Sequence, residues 1–257
     1  MDPATLIGLA LAFGAIFLSM TLEGTPISHI LLPAPLVLVF VGTLGAGMAS
    51  GMMKDATGVI GQLKLALLAK KGNPDELVET MVKLAEKARR EGLLALEDAM
   101  KEVDQPFLKK GLQFAIDGTD SEELREILEA EVDAKRKADR AGAKIFADMG
   151  GYAPTIGIIG TVIGLVHVLA NLSDPGGLGE LIAAAFVATL WGILSANIMW
   201  LPIGNRLKRL SEVECGQMEM VIAGIINIQA GANPRLVAQK LRSLLPPGST
   251  NKKKAAA

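Results

Sequence analysis

One cysteine, two histidines and a single tyrosine are the scarce residues of this 257-residue chain. Cys215 alone cannot close an internal disulfide, and a lone cysteine is more often an inert filler than a nucleophile. Two histidines and one cysteine, far apart in sequence, do not assemble a protein-only zinc site. Net charge is nearly absent too. Twenty-six basic residues face 27 acidic ones, a formal −1, which leaves no basic excess to hold nucleic acid. Only 21% of residues are charged against 50% apolar, and mean hydropathy is +0.38. That balance belongs to a membrane protein and argues against a soluble enzyme.

The apolar residues gather in four uncharged runs: about Leu6–Leu22, Pro33–Met53, Tyr152–Leu172 and Leu181–Ile203. Each holds roughly 17–23 residues, enough to cross a hydrocarbon core of ~30 Å as a helix. The first lacks the basic flank of a cleaved signal peptide and reads as a span. Lys and Arg are missing from residues 1–53 and 149–205; 17 lie in residues 54–148 and 9 in residues 206–257. Positive residues stay on the cytoplasmic side. The N-terminus, the central segment and the C-terminus are therefore expected inside, with Glu23–Leu32 and Ser173–Glu180 outside. Tyr152 and Trp200 fall near the inner interface, where amphipathic rings are common. The expected fold is all-α, a polytopic membrane protein with four transmembrane helices. Residues 1–53 carry transmembrane helices 1 and 2, 54–148 form a helical cytoplasmic domain, 149–204 carry transmembrane helices 3 and 4, and 205–257 form a cytoplasmic C-terminal tail.

Within the central segment, Asn73-Pro74-Asp75-Glu76 predicts a helix start, with Asn as N-cap and Pro at the first position. Gly92 interrupts that helix, and Asp104-Gln105-Pro106 marks another start. Asp120-Ser121-Glu122-Glu123 opens a helix reaching Asp148, with a thin stripe of Leu124, Ile127, Leu128, Ala134, Ala138, Ala141 and Ile145. Glu131–Lys135 and Asp133–Lys137 have the spacing of along-helix ion pairs, each worth only ~0.3 kcal/mol. The small residues suit close packing against other helices; a solvated connector into the third span is the alternative. The last dozen residues, from Pro246, read as disordered, and Lys252–Lys254 are a weak signal for anionic lipid.

The spans carry small-residue faces: Gly8, Ala12, Ala15 and Ser19; Gly47 and Gly51; Gly157, Gly160 and Gly164; Ala185, Ala188, Gly192 and Ala196. Such faces let membrane helices approach closely, within a chain or between subunits. Thr161 and Thr189 place hydroxyls mid-membrane within the later two faces. Each either bonds its own helix at the i−4 carbonyl or offers oxygen to a cation path. His167 shares the Gly160–Gly164 face and reads as a packed neutral imidazole. Pro154 and Pro202 sit near the inner ends of the last two spans, and neither can donate to its i−4 carbonyl, which predicts a kink at each. No Asp or Glu lies inside any span, yet membrane carboxylates are what ion carriers ordinarily use. If ions cross here, the acid comes from another polypeptide.

These residues resemble the A subunit of the bacterial flagellar stator, the MotA/PomA family. The resemblance rests first on the fourth span, Ala185-Phe186-Val187-Ala188-Thr189-Leu190-Trp191-Gly192-Ile193-Leu194, followed after seven residues by Pro202. The third span from Tyr152 to Leu165 and the cytoplasmic stretch Ala88–Asp98 are similar to the family's third helix and rotor-facing segment. The resemblance implies a motor subunit without enzymatic activity or cofactor. Five such subunits surround two copies of a B-type subunit whose helix bears the ion-binding aspartate, and passage of H+ or Na+ turns the ring against the flagellar rotor switch protein. It implies rotor contact for Arg89 and Glu97, with Arg90 and Asp98 as neighbouring charges. It places Pro154, Pro202, Thr161 and Thr189 on the ion path; many proton-driven members have Ala where Thr161 stands. On spacing alone, Arg89 and Glu97 read as a solvated face. The competing readings are an envelope-energising motor subunit similar to ExbB or TolQ, with three spans, a self-contained ion transporter, and a passive membrane scaffold.

Overall fold

A computed structural model describes residues 3–51, 53–69, 72–173 and 175–245; the stretch from Pro246, with Lys252–Lys254, lies outside the described residues. Every regular element among the described residues is helical. The α-helices are α1 (Pro3–Leu22), α2 (Pro33–Ala49), α3 (Met53–Leu68), α4 (Pro74–Glu91), α5 (Leu96–Ala99), α6 (Pro106–Ile116), α7 (Ser121–Ala170), α8 (Leu178–Leu194), α9 (Leu201–Gln229) and α10 (Pro234–Ser243). Their starts follow local chemistry. Proline opens α2, α4, α6 and α10, where its missing N–H has no helical partner to lose. Asn73 Oδ1 accepts from the Asp75 amide at 3.2 Å, Asn233 Oδ1 from Arg235 at 3.0 Å, and Asp120 Oδ1 from Glu122 at 2.8 Å. Gly92 ends α4 at φ +85°, a conformation that costs an L-residue its Cβ clearance.

Among the described residues, three helical runs are long and apolar enough to cross a membrane: Thr5–Leu22 in α1, a window of α7, and a window of the continuous run Leu178–Gln229. α2 is shorter. Its 17 residues reach about 26 Å before the chain turns at Ser50 and Gly51.

The chain divides into two compact units, residues 1–70 with 139–210, and residues 71–138 with 211–257. α7 and α9 contribute to both. In the first unit, Trp200 meets Phe40 edge-on (centroids 6.4 Å) and Phe146 at a tilt (6.5 Å), in a cluster that includes Ala66, Ala143 and Leu207. Residues 59–66 and 143–146, which the sequence groups with the central segment, therefore pack with the apolar helices. A neighbouring cluster joins Val39, Val187, Trp191 and Leu194, and the Trp191 indole Nε1 donates to the Ile30 carbonyl at 2.6 Å.

In the second unit, α4, α6 and the first turns of α7 close over Val221, Ile225, Val237 and Leu241. Residues from Cys215 to Leu241 thus contribute to this packed core. The buried line of α7 also departs from the predicted stripe. Leu124, Leu128, Val132, Ala143, Ile145 and Phe146 are buried, whereas Ala134, Ala138 and Ala141 face outward. Leu124, Leu128 and Ile145 of that stripe keep their burial, while Val132 and Phe146 beside them bury more area than the alanines would and turn the helix toward themselves. The charges of α7 find partners other than the spacing suggested: Glu131 pairs with Lys110 (2.5 Å), Lys135 with Glu214 (2.8 Å), and Arg136 with Asp133 (3.0 Å) and Glu219.

Candidate functional site

The site of the first unit begins with an absence of side chains. Built on Gly157, a Cβ would stand 2.8 Å from the Ala188 carbonyl oxygen and 3.2 Å from Gly192 Cα. On Gly164 it would meet Ala185 Cβ at 2.6 Å, and on Gly160 Ala188 Cβ at 2.6 Å. The backbones of α7 and α8 are therefore in van der Waals contact over two turns. This is the close approach that small-residue faces permit.

That approach brings together the two threonines. Thr161 Oγ1 lies 3.0 Å from the Ala185 carbonyl on the facing helix and 3.3 Å from its own i−4 carbonyl at Gly157. Thr189 Oγ1 lies 3.3 Å from the Gly157 carbonyl across the interface, and the two hydroxyls bond one another. Thr161 thus bonds its own i−4 carbonyl and the facing helix together, while Thr189 bonds across rather than along its helix. The result is four oxygens, half-buried, with two hydroxyl hydrogens to serve four contacts. Each hydrogen can be shared between two acceptors, and a small cation is another group that such a set of oxygens can hold. Hydroxyl and carbonyl oxygens are hard ligands suited to such an ion. They carry no formal charge, and no metal-binding group of His, Cys, Asp or Glu occurs among the described residues.

Pro154 lies inside α7 without interrupting it, beside the same interface: a Cβ on Gly192 would meet the Ala153 oxygen at 2.6 Å and Pro154 Cα at 3.3 Å. The helix runs on through this proline to Ala170. At Pro202 the backbone does change. Residues Ser195–Trp200 form a π-helical segment immediately before it, the wider turn by which a helix accommodates a displaced hydrogen bond. Ser195 Oγ and Asn197 Nδ2 donate to the carbonyls of Gly192 (3.3 Å) and Ile193 (2.9 Å). Nothing in the residue pattern marked this segment except the proline that follows it. His167 is exposed on the surface of the chain, so the packed imidazole expected there is not formed within it. Gly47 packs on Met149, but Gly8, Ala15 and Ser19 of α1 stay exposed, and a Cβ on Gly8 would meet nothing within 4 Å. A cavity of about 350 Å³ between Gly47–Gly51 and Ala141–Asp148 contains none of the predicted site residues.

The charged residues of the second unit meet at a corner. Arg89 and Arg90 occupy the last turn of α4, Glu97 and Asp98 the first turn of α5, and all four are exposed. Gly92 and the 3₁₀ turn Leu93–Ala95 reverse the chain between them, so residues eight apart flank one turn. Cations at a helix C-terminus and anions at an N-terminus sit favourably in the local dipoles. Asp98 is engaged by the Lys101 ammonium at 2.8 Å; that hydrogen bond holds its carboxyl below the usual carboxylate range and raises the Lys101 amine. Arg89, Arg90 and Glu97 make no ion pair among the described residues.

Residues 99–220 match the MotA/TolQ/ExbB proton channel family. Motility protein A of Bacillus subtilis is 39% identical to this chain over 247 residues, covering 96% of it and 92% of that protein. A chain in the structure of the flagellar MotAB stator complex from B. subtilis superposes with a TM-score of 0.88 at 39% identity, over 94% of this chain and 95% of that one. A chain of C. jejuni MotAB gives a TM-score of 0.93 at 29% identity, over 98% of this chain and 100% of that one.

Proposed function

The chain belongs to the MotA/TolQ/ExbB proton channel family, and from that premise we infer that it is a flagellar motor stator subunit of the motility-protein-A type. With a B-type partner it forms a membrane ion channel that converts ion flow into torque on the flagellar rotor. It is a channel and motor component, not an enzyme. The observation that carries this reading is correspondence along almost the whole chain to motility proteins, 96% of it to the Bacillus subtilis protein. That length of match favours the stator over an envelope-energising subunit.

The finer reading places four spans in the bacterial cytoplasmic membrane, with both termini and residues 54–148 inside. The distribution of Lys and Arg supports it. Five copies surround two B-type helices, and the ion, H+ or Na+, binds an aspartate on the B-type helix. The lack of any acid in the spans supports a borrowed carboxylate. The uncovered small-residue face of α1 supports contact with further subunits. Neutralising the partner's carboxylate removes a buried charge worth several kcal/mol and so changes the preferred packing around it. Each charge crossing ~150 mV releases about 3.5 kcal/mol to drive that change. Thr161 and Thr189 offer oxygens to the ion, and Pro154 and Pro202 set the backbone beside it. Arg89, Arg90, Glu97 and Asp98 form the face that turns the rotor switch protein.

The test is expression in a motile bacterium stripped of its own stators. The chain with a B-type partner is expected to restore swimming, and the chain alone is not. Failure of every tested partner, with both proteins present in the membrane, counts against the reading. Swimming speed against external sodium, with a protonophore control, assigns the ion.

A further inference from the structure

Leu93, Leu94 and Leu96 are three leucines within four residues, and the fold treats them differently. Leu96 is fully buried and Leu93 half-buried, both packed on the core of the second unit. Leu94 is 73% exposed. The other exposed large apolar side chains described in that unit, Leu236 and Leu244, are 45% and 55% exposed. Single exposed leucines are common and need no explanation by themselves. This one differs in its setting. The left-handed Gly92 and the two anchored leucines fix the turn, so Leu94 is held outward rather than left to collapse. Arg89 and Arg90 precede it, Glu97 and Asp98 follow it, and three of these four have no ion-pair partner among the described residues. Binding sites commonly place an apolar anchor at the centre of a charged rim, where burial supplies affinity and charge supplies register.

We propose that Leu94 is the apolar anchor of the rotor-contacting face, inserting into a pocket of the rotor-side protein flanked by an acid opposite Arg89 and Arg90 and a base opposite Glu97. The inference rests on the stator reading given above. Charge complementarity on both flanks selects a partner surface of mixed sign, and the fixed turn lowers the ordering cost of insertion. Because Leu94 contributes little to the core, its replacement leaves the unit folded.

The experiment follows fluorescently labelled complexes at rotating motors in living cells, at matched abundance. Leu94→Ser is expected to shorten residence about tenfold, in the range of a lost interface anchor, and Leu94→Met to retain it. Arg89→Glu is the control. If Arg89→Glu shortens residence and Leu94→Ser does not, the anchor is refuted while rotor contact stands. If neither changes residence, the rotor-contact reading fails and takes the anchor with it. If Leu94→Ser instead changes the subunit count of the purified complex and leaves residence unaltered, the leucine serves contacts between copies and the proposal is overturned.

Discussion

Gly157 and Gly192 touch backbone to backbone: a Cβ on Gly192 would stand 3.0 Å from Gly157 Cα and 2.6 Å from the Ala153 carbonyl oxygen. Backbone atoms cannot give way as a flexible side chain does, so this pair sets the separation of α7 and α8. The hydroxyl contacts that cross between the two helices, Thr161 to Ala185, Thr161 to Thr189 and Thr189 to Gly157, depend on it.

Gly192→Ala is therefore expected to destabilise the chain by ~1–3 kcal/mol, the ordinary cost of overpacking, and to abolish ion flux. Gly8→Ala, with no atom within 4 Å of the added methyl, is expected to leave the isolated chain's stability unchanged. Thermal unfolding in detergent compares the two. Equal stability of the two variants contradicts the contact; a Gly8→Ala effect confined to the assembled complex identifies α1 as a subunit interface.

Thr161→Ala removes a hydroxyl that bridges the Ala185 carbonyl and the Thr189 hydroxyl. A sodium-driven motor should lose most of its speed, whereas a proton-driven one should lose little. Thr161→Ser keeps the oxygen and should keep the sodium response. Speed measured over a range of external sodium distinguishes these outcomes.

Arg89→Glu and Glu97→Lys should each impair swimming, and opposite charge changes on the rotor should restore part of it. Normal motility in the double variant removes rotor contact from the account of this corner.

Asp98 supplies a pH test. Lys101 lowers its carboxyl below the usual carboxylate range, so the pair is intact above that range and is lost as pH falls through the lowered value. Lys101→Ala should move the Asp98 titration upward, toward an ordinary carboxylate. Carboxyl-carbon NMR of the two proteins reads the shift directly; identical titrations mean the 2.8 Å contact is not held in solution.

Trp191→Phe keeps the ring near Phe40 but deletes the indole donor to Ile30. A buried carbonyl left without its partner costs ~1–3 kcal/mol. Hydrogen exchange at residues 27–32 should rise in this variant relative to the wild type.

Much of this architecture is local and was legible in the residue pattern. Pro74 and Pro106 start helices because ring geometry and the missing N–H suit a first turn, whatever surrounds them. The glycines and alanines of the last two apolar runs announced a close helix contact through spacing alone. Other features depend on what arrives from a distance. Leu124 and Leu128 of the predicted α7 stripe are buried, yet its alanines lost the burial to Val132 and Phe146, which lay outside it. The π-helical turn before Pro202 carries no residue signature that separates it from an ordinary helix.

The sequence by itself determined that the chain is helical, where its charges stop, and that no carboxylate stands within its apolar runs, because propensity, charge and hydropathy are properties of residues in order. Only the tertiary structure decided that Thr161 reaches the carbonyl of Ala185, that residues from Cys215 to Leu241 contribute to a core with α4 and α6, and that Leu94 alone of its three leucines faces out. Those outcomes turn on which surfaces meet and how closely. Contact between residues far apart in the chain is a matter of competing burial, which no single segment encodes.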